Sequence, residues 1–251
     1  MHALRHAAAR FFCVKLSPRR ASLWKRALTL TAPAIALSVF LFGGCGASTA
    51  ANAGEMRFTL VSVGNAHYCG AHCPAVIMAN GEITDSTPYV FMNFVHGNIG
   101  RRDLHSVILL DSPGGKVVAA MELGRIWRRL GATAVVARPE PGRSSRFLAA
   151  RCESACVYAL IGARKRVVPP GSVVGVHRMF FYDDDSGPMN EGTSERRHYD
   201  NGSMKAMLSR YTARMGVSPA LISEAERISS DRIHILSRKE MARYHLASSR
   251  F

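Results

Sequence analysis

The amino-acid sequence predicts a single α/β domain with a parallel sheet core and late helices, running from about Gly54 to Phe251. An apolar run (SVILLD), a stretch with apolar residues at helical spacing and a second apolar run (ATAVVA) follow one another between residues 106 and 137. Consecutive strand, helix and strand form a parallel pair with a right-handed crossover. Helical patterns also fill most of the chain after residue 195.

Apolar periodicity and turn residues predict the remaining elements. We expect strands at 75–83 and 172–177, helices at 87–95, 154–161, 196–215, 219–228 and 237–244, and loops at 138–151 and 178–195. The helix at 87 begins with Thr87-Pro88, a cap residue followed by the proline favoured at the first helical position. The stretch 138–151 contains two prolines and a glycine, which is why we expect a loop there.

The first 53 residues have the composition of an export signal. They contain seven basic and no acidic residues, then an apolar stretch from Ala27 to Phe42, then Ala51-Asn52-Ala53. This order is typical of a secretory signal peptide with an A-x-A cleavage site. An uncleaved N-terminal anchor is the alternative, although 16 residues are short for a membrane span of about 20. We expect a periplasmic or otherwise exported protein, membrane-associated through the N-terminus if cleavage does not occur.

Removal of this segment lowers the net charge. Seven of the 33 basic residues and none of the 18 acidic ones lie in it, so residues 54–251 carry 26 basic and 18 acidic side chains, a net charge of +8. These 198 residues are enough for one sizeable core and too few for two ordinary domains. Basic residues and aromatics do not alternate in any run, so we expect no nucleic-acid partner.

Four of the six cysteines lie after the export signal: Cys69, Cys73, Cys152 and Cys156. An even number in an exported chain favours disulfides, and four cysteines allow three connectivities. Cys152 and Cys156 are spaced i,i+4, about 6 Å apart on a helix and within disulfide range. A zinc site at Cys69-x-x-His72-Cys73 is the alternative, but the ligand spacing is irregular, so we expect no metal and no cofactor.

Three short segments contain the residue types that acyl transfer requires. Asp111-Ser112-Pro113-Gly114-Gly115 follows a strand and opens a helix, Cys152-Glu153-Ser154-Ala155-Cys156 begins the next helix, and Gly175-Val176-His177 ends a later strand. Acyl transfer needs a nucleophile, a base within hydrogen-bond reach and donors aimed at the developing oxyanion. The serine, the histidine and the backbone N–H groups of the glycine turn meet these needs.

The same segments resemble those of the Clp protease proteolytic subunit. The turn 111–115 is similar to its S-P-G-G turn, Ser154-Ala155 to its nucleophile followed by a small residue, and His177 to its base at a strand end. The stretch 75–246 also resembles a family of uncharacterised periplasmic Clp-like proteins with S-A-C around the serine and G-x-H at the base. The resemblance implies a Clp/crotonase-like fold of repeated β-β-α units.

The resemblance also implies roles for individual residues. Ser154 would be the nucleophile and His177 the general base, while backbone N–H groups of Gly114, Gly115 and Ala155 would form the oxyanion hole.

For the third catalytic residue, the best match is Asp231, although its interval to Leu236 is longer than in the Clp pattern. Glu226 and Asp200 are the alternatives.

Structural roles are also open for each of these positions. The glycines can form a simple tight turn, Ser154 can cap a helix, and His177 can be a core histidine. Asp231 can be a surface or capping residue. The aspartate run 183–185 fits a solvated loop, and residues 179–181 (MFF) fit packing at the mouth of a pocket.

We expect an exported serine hydrolase, and above all a peptidase. Its substrate would be a polypeptide or a small acyl compound, and the chain could form a homo-oligomer. Three alternatives remain open. In the first, the chain belongs to the crotonase branch, which holds thioester enolates with the same N–H groups. In the second, it is a non-catalytic binding or assembly module that keeps only the fold. In the third, Cys152-x-x-x-Cys156 carries out thiol redox chemistry, although its spacing is unusual for a redox motif.

Overall fold

The computed structural model describes residues 54–98, 100–182, 197–199 and 202–248. The predicted export signal at 1–53, the aspartate run 183–185 and Asp200 lie outside the described residues. Within them, no helix has the length and apolar character needed to cross a bilayer.

Short strands make up much of the domain. In chain order they are β1 (Arg57–Ser62), β2 (Ala75–Asn80), β3 (Leu104–Asp111), β4 (Thr133–Val135), β5 (Ala137–Glu140), β6 (Arg143–Ala149), β7 (Arg151–Glu153), β8 (Lys165–Val167), β9 (Val173–Val176), β10 (Phe180–Tyr182), β11 (Arg197–Tyr199) and β12 (His234–Ile235).

Helices alternate with strands in the first part of the domain and predominate in the last part. They are α1 (Ala66–Cys69), α2 (Thr87–His96), α3 (Val117–Arg129), α4 (Cys156–Gly162), α5 (Ser203–Arg214), α6 (Ala220–Ala225) and α7 (Arg238–Arg243). A 3₁₀ turn, Gly70–His72, follows α1.

The main sheet has the strand order β1-β2-β3-β4-β8. The strands β2, β3, β4 and β8 are parallel, and β1 is antiparallel to β2 at the edge. All of β2 except Asn80 is buried, as expected for a strand covered on both faces. The predicted α/β class with a parallel sheet core and late helices is confirmed, and it is the class that the Clp/crotonase resemblance implied.

A second sheet has the order β12-β9-β7, with β7 and β9 parallel. It is joined to the main sheet where β3 ends, because the Ser112 N–H donates to the Arg151 carbonyl (2.8 Å) and the Glu153 N–H donates to the Ser112 carbonyl (3.1 Å). The three predicted functional segments therefore meet at this junction: the turn after β3, the turn after β7 and the end of β9.

Helices α3 and α4 pack against each other at two glycines. A Cβ at Gly162 would collide with Gly124, and a Cβ at Gly124 would collide with the Tyr211 hydroxyl and lie 2.8 Å from the Tyr158 carbonyl. That hydroxyl donates to the same Tyr158 carbonyl at 2.8 Å, which ties α5 to the contact. The backbones of α3 and α4 can approach this closely because neither glycine has a side chain.

Several segments differ from the sequence predictions, among them the short strands β7, β8, β10 and β12, which were not predicted. Residues 138–151 are not a loop: β5 and β6 form an antiparallel hairpin around Pro141-Gly142, with Gly142 at φ +74° as a type II turn requires. Residues 197–199 form a strand paired with β10, so the helix predicted from 196 begins at Ser203. The edge strand β1 was not predicted.

The last helix is held by a capping box. The Ser237 hydroxyl accepts from the Glu240 N–H (3.2 Å), and the Glu240 carboxylate accepts from the Ser237 N–H (2.7 Å) and hydroxyl (2.6 Å). The Ser237 hydroxyl is the main cause that lowers the pKa of Glu240 from 4.5 to about 2, helped by the Ser237 N–H and by His234.

We predict that Ser237→Ala destabilises the domain by about 1 kcal/mol at neutral pH, because the cap is lost. The ionised Glu240 is favoured in the folded state, so its contribution is present above its ordinary pKa of 4.5 and is lost as pH falls toward about 2. Urea unfolding of the original and variant proteins between pH 2 and pH 7 measures this. The difference between them should shrink across that acid range, and a difference independent of pH would contradict the prediction.

Candidate active site

The turn after β3 depends on two glycines with positive φ, Gly114 at +112° and Gly115 at +129°. A Cβ at Gly114 would lie 2.7 Å from the Glu153 carbonyl oxygen and 2.8 Å from the Ser154 Cβ, and a Cβ at Gly115 would collide with the Ile83 carbonyl. The turn is fastened to Ile83 on both sides, because the Ile83 N–H donates to Gly114 (2.7 Å) and its carbonyl accepts from Lys116 (2.8 Å). The glycine turn therefore lies directly against Ser154.

Ser154 lies on the sharp turn between β7 and α4, in the left-handed region at φ +54°. A non-glycine residue in this region is strained, and the structure around it must hold it there. Its N–H donates to the Gly175 carbonyl of β9 at 2.9 Å. Ser154 does not cap α4, whose N-cap residue is Ala155, so its hydroxyl is available for another contact.

That contact is with His177, which is buried at the end of β9. The imidazole Nε2 lies 2.7 Å from the Ser154 Oγ, and Nδ1 lies 2.8 Å from the Arg178 carbonyl oxygen. Since a carbonyl only accepts, Nδ1 carries the proton and Nε2 accepts from the serine hydroxyl. This is the tautomer in which a histidine can take a proton from a serine.

Two backbone donors lie beside this pair. Across the described residues, the N–H groups of Gly115 and Ala155 donate to no protein acceptor. The two turns touch, because a Cβ at Gly114 would lie 3.0 Å from the Ala155 nitrogen. The Gly114 N–H points instead to the Ser112 Oγ (3.2 Å). Of the predicted oxyanion-hole residues, Gly115 and Ala155 thus have a donor to offer, while Gly114 supplies the backbone shape.

The described part of the chain contains two disulfides, Cys69–Cys73 and Cys152–Cys156. Each closes a five-residue loop, and the second encloses Ser154 at its centre. Cys152 and Cys156 are fully buried. Of the three connectivities that the sequence left open, the structure has the one that pairs the cysteines spaced i,i+4, so Cys69 and Cys73, which the alternative zinc site would need as thiolates, are bonded to each other.

The third catalytic residue stays a prediction. Asp231 is exposed on the stretch between α6 and β12, close to the end of β9, since the Arg178 N–H donates to the Ile228 carbonyl at 2.9 Å. The alternative Glu226 is half-buried, and its Oε2 lies 3.6 Å from the Arg178 Nε. The contact that the structure describes at His177 Nδ1 is with a main-chain carbonyl.

A narrow apolar pocket opens beside Ser154 and His177. Its other lining residues are Val157, Tyr158, Val176, Met179, Leu221, Ile222 and Ala225. The sequence indicated Met179 as a pocket residue, but the wall from α6 was not predicted, because the apolar stripe of that helix is equally typical of core packing. Burial raises the pKa of the Tyr158 hydroxyl well above its ordinary value, and the charge of Glu226 adds to the rise, so Tyr158 stays neutral.

Comparisons with known proteins give a fold likeness and no family. No family model matches the sequence, and no curated protein matches it. Among solved structures, the chain is similar to a serine-to-alanine mutant of the 1510-N membrane-bound stomatin-specific protease, with 19% identity, 70% of this chain and 78% of that chain covered, and a TM-score of 0.45. A lysine-to-alanine mutant of that protease in complex with a substrate peptide is similar at 19% identity, covering 70% and 74%, with a TM-score of 0.46.

We predict that replacing both Cys152 and Cys156 by Ala slows reaction of Ser154 with a fluorophosphonate by at least about tenfold, because the strained turn that presents the hydroxyl is released. The matched control is the Cys69→Ala, Cys73→Ala pair, which opens a loop of the same length away from Ser154. Opening either loop should cost about 2 kcal/mol in chain entropy. Labelling rates are compared on protein that circular dichroism shows to be folded, and equal rates in the two double variants would contradict the prediction.

Proposed function

We propose that this chain is a serine hydrolase, and specifically a peptidase of exported polypeptides, with Ser154 as nucleophile and His177 as general base. The observation that supports this most directly is the pair of hydrogen bonds on the imidazole, 2.7 Å from Nε2 to the Ser154 Oγ and 2.8 Å from Nδ1 to the Arg178 carbonyl. Together they orient the base and give it the tautomer that general-base catalysis needs.

The proposed reaction has two halves. The Ser154 Oγ attacks the substrate carbonyl carbon while its proton passes to His177 Nε2, and the oxyanion that forms accepts hydrogen bonds from the N–H groups of Gly115 and Ala155. His177 then gives the proton to the leaving group, which departs and leaves an acyl-serine. A water molecule, deprotonated by His177, hydrolyses that ester and restores the free hydroxyl.

The pocket lining indicates the polarity of the acyl group and not its size, because the cavity of about 10 Å³ must widen to hold a side chain. Its wall is formed largely by aliphatic side chains of α4, β9 and α6, so the group beside the scissile carbonyl should be apolar. Export, association of several copies and Asp231 as a third catalytic residue remain predictions from the sequence and its resemblance.

We predict that Ser154→Ala and His177→Ala each abolish fluorophosphonate labelling and hydrolysis of an unstructured protein or a small ester. The double variant should be no worse than either single one, because residues that act as one unit are not additive. Ser223→Ala is the matched control, since it removes an exposed hydroxyl from α6 outside the pocket lining. Absence of labelling in the folded, oxidised original protein would favour a non-catalytic binding module instead.

We also predict selectivity for apolar over charged residues at the position before the scissile bond. Burying an aliphatic side chain is worth about 1.5–3 kcal/mol, which corresponds to about 10- to 150-fold in kcat/KM. Ile222→Val widens the pocket by one methyl group and should favour larger apolar groups, while Ile233→Val, at an exposed isoleucine, should change nothing. A chromogenic peptide series measures both, and equal rates for leucine and aspartate substrates would disprove this specificity.

A further inference from the structure

The acceptor that the structure describes at His177 Nδ1 belongs to the main chain. In a serine–histidine–aspartate site a carboxylate accepts from Nδ1 and also stabilises the imidazolium that forms during reaction. Here the described acceptor is the carbonyl of Arg178, the residue that follows the base. A carbonyl fixes the tautomer but carries no net charge. The orientation of the imidazole therefore depends on where this carbonyl is held, and stabilisation of the imidazolium depends on other charges nearby.

Three contacts of Arg178 hold that carbonyl in place. Its N–H donates to the Ile228 carbonyl at 2.9 Å. Its guanidinium Cζ lies 4.3 Å from the centre of the Tyr199 ring, and its Nε lies 3.6 Å from the Glu226 Oε2. The Tyr199 hydroxyl lies 3.0 Å from the Ser230 Oγ, so the ring is fastened close to Ile228. The Arg178 side chain is therefore held by Tyr199 of β11 and by Glu226 at the end of α6.

The ion pair is partly shielded from solvent. The Glu226 side chain is 17% exposed and that of Arg178 is 38% exposed. Among the described contacts the Arg178 Nε has no hydrogen-bond partner, so the two groups are held by charge attraction at 3.6 Å. The field of Glu226 reaches the pocket wall, since its charge contributes to the raised pKa of the Tyr158 hydroxyl.

We propose that Arg178 and Glu226 are positioning residues for the catalytic histidine: the ion pair and the Tyr199 ring hold the Arg178 peptide so that its carbonyl orients His177. This rests on the proposed hydrolase function. The two charges of the pair are opposite, so removing either one leaves the other uncompensated close to the end of β9.

Other charged or titratable groups lie on the elements packed against β9 and its end. They include Arg151 and Glu153 on β7, Tyr158 on α4, His234 on β12, Asp231 before β12, and Arg197 and His198 on β11. Glu153 is paired with Arg151 at 3.5 Å and His234 with Glu240 at 2.8 Å. Neither substitution removes any of these groups, so the comparison of variants isolates the charges of Arg178 and Glu226.

The test is a double-mutant cycle on Arg178 and Glu226, read out as the pH dependence of kcat/KM. Removing the cation with Arg178→Met should favour the imidazolium and move the acid limb of the kcat/KM profile to higher pH, while Glu226→Gln should move it to lower pH, each by about half a unit to one unit. The double variant should return close to the original midpoint. Each single variant should lower kcat about tenfold or more with KM within about twofold, because the base is misplaced and the pocket is not.

The matched control is the neighbouring surface pair Arg227–Glu224, at 3.1 Å, changed as Arg227→Met and Glu224→Gln. These variants make the same charge changes close by in sequence and should leave the midpoint unchanged. Shifts of the same sign in Arg178→Met and Glu226→Gln, or no shift in either, would overturn the proposal.

A second readout does not depend on activity. Nitrogen-15 NMR of the histidine side chains, with the His177 signals assigned from a His177→Gln variant, should show the proton on Nδ1 in the original protein and a mixture of tautomers in both single variants. If the original protein hydrolyses no substrate, the proposed function fails, but the tautomer measurement still tests whether Arg178 and Glu226 orient His177. If the tautomer changes in Asp231→Asn but in neither Arg178→Met nor Glu226→Gln, then Asp231 orients His177 and the proposal is overturned.

Discussion

The contact between α3 and α4 through Gly124 and Gly162 fixes the position of the candidate site. A methyl group at either glycine would collide with the facing helix or with the Tyr211 hydroxyl. Since α4 begins directly after Ser154, any separation of the two helices would move the serine relative to His177, which is held by the separate pairing of β9 with β7 and β12. A 2.7 Å hydrogen bond across that junction tolerates little movement.

The strained backbone at Ser154 is consistent with this arrangement. A left-handed serine is unfavourable on its own, and four separate restraints surround it: the Gly175 carbonyl, the glycine turn after β3, the Cys152–Cys156 disulfide and the hydrogen bond to His177. They come from both sheets and from the loop between β3 and α3. The geometry of Ser154 is thus a property of the assembled domain, and an isolated β7–α4 segment would not keep it.

Much of the fold could be predicted because its signals are local. The apolar run before Asp111 and the helical spacing after Val117 each identify one element, and their order implies the parallel pairing. The hairpin at 137–149 was missed because Pro139 and Pro141 are typical of loops, although a two-stranded ribbon accepts proline. The alternation of Phe58 and Leu60 was a usable signal for β1.

Less of the site could be predicted. The proximity of Ser154 and His177 could be anticipated from residue type, order and the family resemblance, since a hydroxyl and an imidazole are visible in a sequence. The pocket wall from α6 and the Arg178 carbonyl were not found, because every residue has a carbonyl and an apolar helix face has no preferred partner. The ion pair of Arg178 with Glu226 depends on packing between segments almost fifty residues apart, a distance at which sequence spacing carries no geometric information.

The main-chain carbonyl at Nδ1 has a consequence for the genetics of this protein. Any amino acid at position 178 brings the same acceptor, so no point mutation can delete it; a substitution can only shift it by changing how the peptide is held. Substitutions at position 178 should therefore give graded effects on the contact with His177, according to how far each one moves the peptide. The position of that carbonyl is inherited as a shape of the backbone, and selection on it acts through the neighbours that maintain that shape.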